Sequence, residues 1–235
     1  MSLNISKIKD SLSVIILCGG EGQRLRPLTQ KVPKPLIKIR NKAIIEYIIN
    51  HFKKYKISKI IIASGYKDKL IRKFFERKYK SKKIRIINTG LNTSIIERIK
   101  KIEKYLEENI ILCYGDTLVD INLNKLINLY LKDKSKFLIS SYELKSSFGI
   151  LNTGKKNFVT SFKEKPKLGV WFNVGYFLFS KSYFKNLKQF NKFENFLTYL
   201  VKKKYLKTFK HKGKHITINT ISELEDAKTE ITKFI

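Results

Sequence analysis

A chain of 235 residues with 43% hydrophobic residues can bury a real core, and no apolar run in it approaches the ~20 residues of a membrane span. Fifty Lys and Arg against 19 Asp and Glu give a formal net charge of +31. Only seven of the fifty are Arg, none after Arg98, so the charge reads as a solvated lysine surface that attracts anions rather than a specific nucleic-acid reader built on bidentate Arg contacts. Cys18 and Cys113 form neither a disulfide framework nor a metal knuckle, and the N-terminus lacks a signal-peptide pattern. A soluble, cytoplasmic, globular protein is expected.

Strand and helix signals alternate from the start. Residues 13–17 (SVIIL) are a continuous apolar run ending in Gly19-Gly20, the pattern of a strand buried on both faces of a parallel sheet. Residues 43–55 predict a helix, 59–63 (KIIIA) a strand, 69–80 an amphipathic helix and 84–88 a strand. Residues 95–106 are again helical, and 109–113 form a strand running into Tyr114-Gly115-Asp116. This alternation predicts right-handed βαβ crossovers around a mostly parallel sheet. A helix is expected to about residue 131. Residues 136–144, 149–153 and 158–163 read as strands of a mixed, partly antiparallel region, and residues 183–193 as an amphipathic helix covering the sheet. No linker or repeat interrupts the chain, so residues 1–235 are expected to form a single domain.

The four prolines, Pro27, Pro33, Pro35 and Pro166, mark two stiff loops, and chemistry is expected there. The first loop follows the opening strand as CGGEGQRLRPLTQKVPKPL. Ligands of α/β sheets bind at such strand ends. Gly19, Gly20 and Gly22 let backbone N–H groups approach an anion, while Arg24 and Lys34 add positive charge. No Gly-Lys-Ser/Thr follows, so this is not a P-loop, and the third glycine of the dinucleotide fingerprint is missing.

The run from Leu17 to Leu36, followed by Asn41-Lys42-Ala43-Ile44-Ile45-Glu46-Tyr47, resembles the opening signature of the sugar-1-phosphate nucleotidyltransferases, and among them the glucose-1-phosphate cytidylyltransferases. The resemblance continues in order through Ser64-Gly65-Tyr66-Lys67, Asn88-Thr89-Gly90-Leu91-Asn92-Thr93 with Arg98-Ile99, Tyr114-Gly115-Asp116, Phe148-Gly149, Glu164-Lys165-Pro166, Trp171 to Tyr176, and residues 211–220. It implies a Rossmann-like α/β fold with a smaller mixed β region at the sugar site. It also implies transfer of a nucleotidyl group from a nucleoside triphosphate, CTP by this resemblance, to a sugar 1-phosphate such as glucose 1-phosphate or a related hexose. The sugar phosphate attacks the α-phosphorus and pyrophosphate leaves, with alignment and charge neutralisation doing the catalysis.

By the same resemblance Arg24 contacts the triphosphate and Lys34 holds the α-phosphate and incoming phosphate. Leu17, Gly19, Gly20, Gly22, Gln23, Thr93, Arg98 and Gly115 surround the nucleotide. Tyr114, Gly149, Glu164, Lys165, Asn173 and Gly175 face the sugar phosphate. Trp171 either walls the sugar or packs under its loop. Asp116 would ligate Mg2+, a hard cation that bridges to phosphates. The family's second metal carboxylate maps onto Asn219, whose amide oxygen can coordinate but carries no charge.

A second departure is Ile95-Ile96-Glu97 before Arg98, where cytidylyltransferases place Thr-Gly-Gly, and Gln23 stands where Thr is common. Glu97 could accept from a base amine, but a helix-surface carboxylate paired with Lys100 or Lys101 is the preferred reading. His211 and His215 are expected in a strand lining the sugar site rather than as a metal pair. The rivals are a guanylyl- or thymidylyltransferase, a cytidylyltransferase for a non-sugar phosphate or phosphonate, and a catalytically weakened nucleotide-binding homologue. No added regulatory domain, membrane span or specific nucleic-acid partner is expected, and a homo-oligomer stays open.

Overall fold

Isoleucine-rich runs set the centre of the molecule, a computed structural model that describes residues 2–79, 83–133 and 137–233. Helix α1 (Ser2–Asp10) leads into β1 (Leu12–Cys18), followed by a short helix α2 (Leu28–Lys31) and a small hairpin, β2 (Lys38–Ile39) and β3 (Lys42–Ala43). Then come α3 (Ile44–Lys54), β4 (Ile60–Ser64), α4 (Asp68–Lys78), β5 (Ile84–Asn88), α5 (Ile95–Ile102) and β6 (Asn109–Tyr114). The second half holds β7 (Thr117–Val119), α6 (Leu123–Lys132), β8 (Phe137–Lys145), β9 (Ile150–Thr153), β10 (Val159–Lys163) and β11 (Lys167–Ser180). It ends with α7 (Phe184–Leu187), α8 (Phe193–Lys202), β12 (Lys207–His211), β13 (His215–Thr217) and α9 (Ile221–Glu230).

Seven strands form the main sheet in the order β12-β8-β11-β6-β1-β4-β5. The pairs β1/β4, β1/β6, β4/β5 and β12/β8 are parallel, and β11 runs antiparallel between β6 and β8. The first crossover carries the chain from β1 to β4 and β5 on one side, and the later one brings β6 to the other side of β1. Adjacent parallel strands whose crossovers leave in opposite directions open a crevice at their C-terminal ends. Two apolar layers sandwich this sheet. Val14, Ile16, Ile60, Ile62 and Ile111 meet α3 and α6 on one face. Ile15, Ile61, Ile110, Leu112, Phe177 and Phe179 meet α5, α7 and α8 on the other. Each fully buried Ile or Phe side chain contributes ~1.5–3 kcal/mol, so the alternation of Val14, Ile15 and Ile16 between layers strongly specifies the register.

The expected Rossmann-like α/β architecture is present, with several local corrections. Of the helix expected over 183–193 only α7 forms: the backbone turns at Gln189 and Phe190, which donate three residues back to Asn186 and Leu187, and α8 begins at Phe193 and runs beyond the expected range. Both pieces still cover the sheet, through Phe184, Leu187, Phe193 and Phe196. The 95–106 helix stops at Ile102 and finishes in a 3-10 turn over Glu103–Tyr105. The strands expected over 149–153 and 158–163 leave the main sheet and form a two-stranded ribbon, β9/β10. Lys80 and Lys136, the expected limits of one helix and one strand, lie outside the described residues. Both cysteines are free and buried, and among the described residues no helix is long and apolar enough to cross a membrane.

Candidate active site

The crevice is a cleft of about 370 Å³ at the ends of β1 and β6. Leu17, Gly20, Gly22, Gln23, Arg24, Lys34, Gly115, Asp116 and Asn219 line it, joined by Cys18 and Pro35. The chain enters the cleft through Gly22, whose φ of 65° is a left-handed conformation that suits glycine. The Thr29 hydroxyl donates to the Gly22 carbonyl at 3.1 Å, tying the turn to α2. Pro33 and Pro35 flank Lys34 in a tight 3-10 turn, and all three are buried.

Lys34 is 8% exposed, and its Nζ donates to Asp116 Oδ2 at 2.6 Å and to Asn219 Oδ1 at 2.9 Å. Arg24 Nη2 donates to the same Asn219 oxygen at 3.0 Å. The Asn219 amide is oriented by its own Nδ2, which donates to Thr217 Oγ1 at 2.9 Å. Its backbone N–H meets Glu223 in the first turn of α9, where Thr220 is the N-cap. An ammonium has three donors and a guanidinium five. Lys34 therefore keeps one N–H, and Arg24 four, beyond the bonds named here. Two cations face one carboxylate and a neutral amide, so the pre-aligned cluster is net positive and suits a polyphosphate.

Tyr114, Asn173 and Gly175 form a second group beside the first, through Gly115. Asn173 Oδ1 accepts from the Gly175 N–H at 2.8 Å. Burial pushes the Tyr114 phenol up, and its hydrogen bond with Asn173 opposes this. Gly149, Glu164 and Lys165 gather at the foot of the β9/β10 ribbon, where a Cβ on Gly149 would lie 3.0 Å from Glu164 Oε2. Glu164 and Lys165 are exposed and do not line the cleft. Trp171 is half-buried, with Lys210 Nζ 4.7 Å from its ring centroid.

Arg98, Thr93 and Gly19, expected at the nucleotide, do not line the cleft, and protein groups hold each of them beside it. Arg98 is 6% exposed, and its guanidinium donates to the carbonyls of Ser64 (3.2 Å), Gly90 (2.9 Å) and Leu91 (3.0 Å) and to the Thr89 hydroxyl. It also sits against Gly19, where an added Cβ would fall 1.9 Å from Nη1. The residue thus joins the loops after β1, β4 and β5. The Thr93 hydroxyl is spent within the same loop, on the carbonyls of Thr89 and Gly90. Arg98→Met orphans several part-buried acceptors at once, at ~1–3 kcal/mol for each one left unsatisfied. A loss of about 2–4 kcal/mol in urea unfolding is expected, together with a raised KM for nucleotide.

Glu97 lies exposed on the surface of α5, as expected of a helix-surface carboxylate, with Lys100 and Lys101 near enough to act on its charge. It closes a capping box with Ser94, accepting from the Ser94 N–H at 2.7 Å while the Ser94 hydroxyl accepts from the Glu97 N–H at 3.3 Å. That backbone donor holds its carboxyl below the usual carboxylate range. The signal was legible: Ser followed three residues later by Glu before an apolar run. His211 ends β12, with Nε2 at 3.0 Å from both Asp120 Oδ1 and the Lys214 carbonyl. His215 opens β13 and stacks on Tyr142 with ring centroids 5.2 Å apart. Burial brings His215 down to about 4, so it is neutral at pH 7.

Among the described residues no three His, Cys, Asp or Glu side chains gather as a metal cluster. A divalent cation in the cleft would depend on Asp116 and Asn219 together with oxygens from substrate and water. Asp116 Oδ2 and Asn219 Oδ1 already converge on one cation, the Lys34 ammonium, and hard oxygen donors of this kind fit Mg2+.

Fixed cations with donors to spare, at the switch point of a parallel sheet, suit transfer at phosphorus without a protein nucleophile. They define a Rossmann-like nucleotide-handling enzyme. The chain belongs to the sugar-1-phosphate nucleotidyltransferases: the nucleotidyl transferase family model matches residues 13–222. It is 33% identical, over 79% of its length and 85% of the relative's, to D-glycero-alpha-D-manno-heptose 1-phosphate guanylyltransferase of Campylobacter jejuni. A Bacillus subtilis protein assigned as glucose-1-phosphate cytidylyltransferase is 29% identical over 91% of this chain and 93% of its own. The crystal structure of HddC from Yersinia pseudotuberculosis complexed with GMP-PN shares the fold, with a TM-score of 0.71 and 24% identity over 93% of this chain and 99% of that one.

Proposed function

We propose that this protein transfers a cytidylyl group from CTP to a sugar 1-phosphate, glucose 1-phosphate or a related hexose, releasing pyrophosphate in the cytoplasm. The observation that carries the transfer is the Lys34 ammonium, held between Asp116 and Asn219 with one donor free for phosphate. The choice of cytosine rests on the sequence run from Asn88 to Thr93 with Arg98-Ile99 and on the Bacillus subtilis relative's name. The Campylobacter jejuni relative's name supports GTP as the second reading.

In this mechanism the backbone around Gly20 and Gly22 approaches the triphosphate, and Arg24 neutralises charge that develops on departing pyrophosphate. Lys34 draws the α-phosphate and the acceptor phosphate together, which lowers their mutual repulsion and aligns the attacking oxygen. Asn173 and Tyr114 border the acceptor end, with Glu164 and Lys165 beyond them. Asp116 and Asn219 would hold Mg2+, which supplies charge neutralisation on the phosphates when bound.

Pyrophosphate release with CTP, GTP, UTP, dTTP and ATP against a panel of sugar 1-phosphates tests the reading. Turnover confined to CTP supports it, and turnover with GTP alone replaces cytosine by guanine. Nucleotide binding without turnover for any pair would leave a catalytically weakened homologue, the reading that Asn219 motivates. Asn219→Asp adds a charge beside the cation position, and a unit charge ~4 Å from a dication gains ~2 kcal/mol even in bulk water, so Mg2+ binding at least about tenfold tighter is expected. Calorimetric titration of Mg2+ into the protein with CTP measures it, and unchanged affinity would remove Asn219 from the metal site.

A further inference from the structure

The chain from Lys181 to Lys214 carries eleven lysines, one acid (Glu194) and no Arg, so about a third of the +31 net charge sits on this one segment. Strand directions place its densest part at the end of the sheet opposite the cleft. β12 starts at Lys207 parallel to β8, and two antiparallel pairings through β11 make β8 run in the same direction as β6. The cleft lies where β1 and β6 end, and the turn from α8 into β12 lies where they begin. In that turn the Tyr205 N–H donates to the Leu200 carbonyl at 2.9 Å and the Lys204 N–H to that of Val201 at 3.0 Å. Lys204 takes a left-handed φ of 58° to close it. Lys202, Lys203 and Lys204 are all exposed. None of them is in an ion pair among the described residues, whereas Lys188 pairs with Glu103 at 2.7 Å and Lys207 with Asp133 at 2.8 Å. Val201 and Tyr205 flank the three lysines and are 60% and 45% exposed. Burial pushes the Tyr183 phenol up, and Tyr205, Asp133 and Tyr199 push it further. Tyr183 therefore lies near this turn, and it brings the exposed Lys185 of α7 to the same end.

We propose that the C-terminal end of α8 docks on an anionic phospholipid bilayer, with Lys202, Lys203 and Lys204 at the lipid phosphates and Val201 and Tyr205 among the headgroups. Charge complementarity selects this occupant. Each lysine close to an anionic leaflet tightens binding about fivefold. Lysine stems lie along apolar surface while the ammonium stays in water. Tyrosine suits a boundary where one end of the ring is apolar and the other wet. Nucleic acid is the other polyanion such a charge could meet. Its readers rely on Arg forks and stacked aromatic platforms, and here Arg is absent and Val201 offers a base nothing to stack on. A molecule docked in this way keeps its cleft in water, where nucleotide and sugar phosphate arrive. The inference is independent of which nucleotide or sugar is used.

Co-sedimentation of the full chain with sucrose-loaded vesicles tests it. At 0.1 M NaCl the protein should pellet with phosphatidylcholine vesicles holding about 30% phosphatidylglycerol and stay in solution with pure phosphatidylcholine. Raising the salt to 1 M shortens the Debye length from ~10 to ~3 Å and should release it. Lys202→Gln, Lys203→Gln and Lys204→Gln together should weaken vesicle binding about a hundredfold, five for each charge. The control removes three charges from α4, which packs on the other face of the sheet. Lys69→Gln, Lys73→Gln and Arg77→Gln together should cost less than tenfold, and both triple variants should keep the parent's melting temperature. Hydrogen exchange needs no variant: amides of residues 199–206 should gain protection when anionic vesicles are added. Equal weakening by the two triple variants, or unchanged exchange at 199–206, overturns the assigned surface. So does an absence of sedimentation with anionic vesicles at 0.1 M NaCl; capture of a single-stranded RNA oligonucleotide, lost in the α8 variant, would then give the surface to nucleic acid.

Discussion

Lys34→Met is expected to lower kcat for pyrophosphate release by about 10²–10³, the cost of removing one pre-aligned charge-stabilising donor. Its Nζ is the meeting point of Asp116 and Asn219, and no other cation among the described residues is recorded on Asp116. Folding should suffer far less. The Asp116 side chain is 31% exposed, so water can solvate the carboxylate once the ammonium is gone, and the pair then contributes little more than a surface ion pair. Methionine keeps the unbranched stem that fills the space beside Gly22. The expected signature is a melting temperature within a few degrees of the parent alongside a collapse of kcat. Lys34→Arg should not rescue, because a planar fork does not occupy the point between the two oxygens that a compact ammonium does. Retention of a tenth or more of the parent turnover by Lys34→Met would remove this residue from the mechanism.

Gly175→Ala carries the second large effect, on stability first. Gly175 is buried in β11 with φ of 71°, where the pairing with β8 shifts register between Asn173 and Phe177. A side chain in that left-handed region costs ~1–2 kcal/mol. The new methyl would also lie 2.3 Å from Tyr114 Cδ2, against a ring packed 6.2 Å from Phe177, and forced overpacking adds ~1–3 kcal/mol. A loss of about 2–5 kcal/mol should lower the melting temperature by roughly 10 °C in a chain of this size. Because Tyr114 precedes Gly115 and Asp116, the displaced ring should also disturb the cleft and reduce kcat. Gly20→Ala is the control: an added Cβ there meets nothing within 4 Å, so its melting temperature should stay near the parent's. Equal melting of the two variants would refute the strain argument.

The amino-acid order alone determined the layered centre. Residues 14–17, 60–63 and 110–113 are unbroken apolar runs, and a strand buried on both faces permits little else. The glycine turn, Arg24 and Lys34 were legible because they lie within one loop, where proline and glycine act on their nearest neighbours. Asp116 was legible because it ends one of those runs. Asn219 came only from resemblance, since nothing local marks an amide 185 residues from Lys34 as its partner.

Tertiary structure decided the destinations of long side chains and the limits of the sheet. The acceptors that hold Arg98 lie at the end of β4 and in the loop after β5, which become neighbours only when parallel strands pair. Glu97 adds a capping box with Ser94 to the helix-surface role expected of it, and both are local because the partners lie three or four residues away. The ribbon was read as part of a mixed sheet, since alternation specifies a strand but not which strand it joins. Pairing depends on whether an edge with the right register is free. At β8 both edges are taken, by β11 and β12, and the ribbon is left paired only with itself.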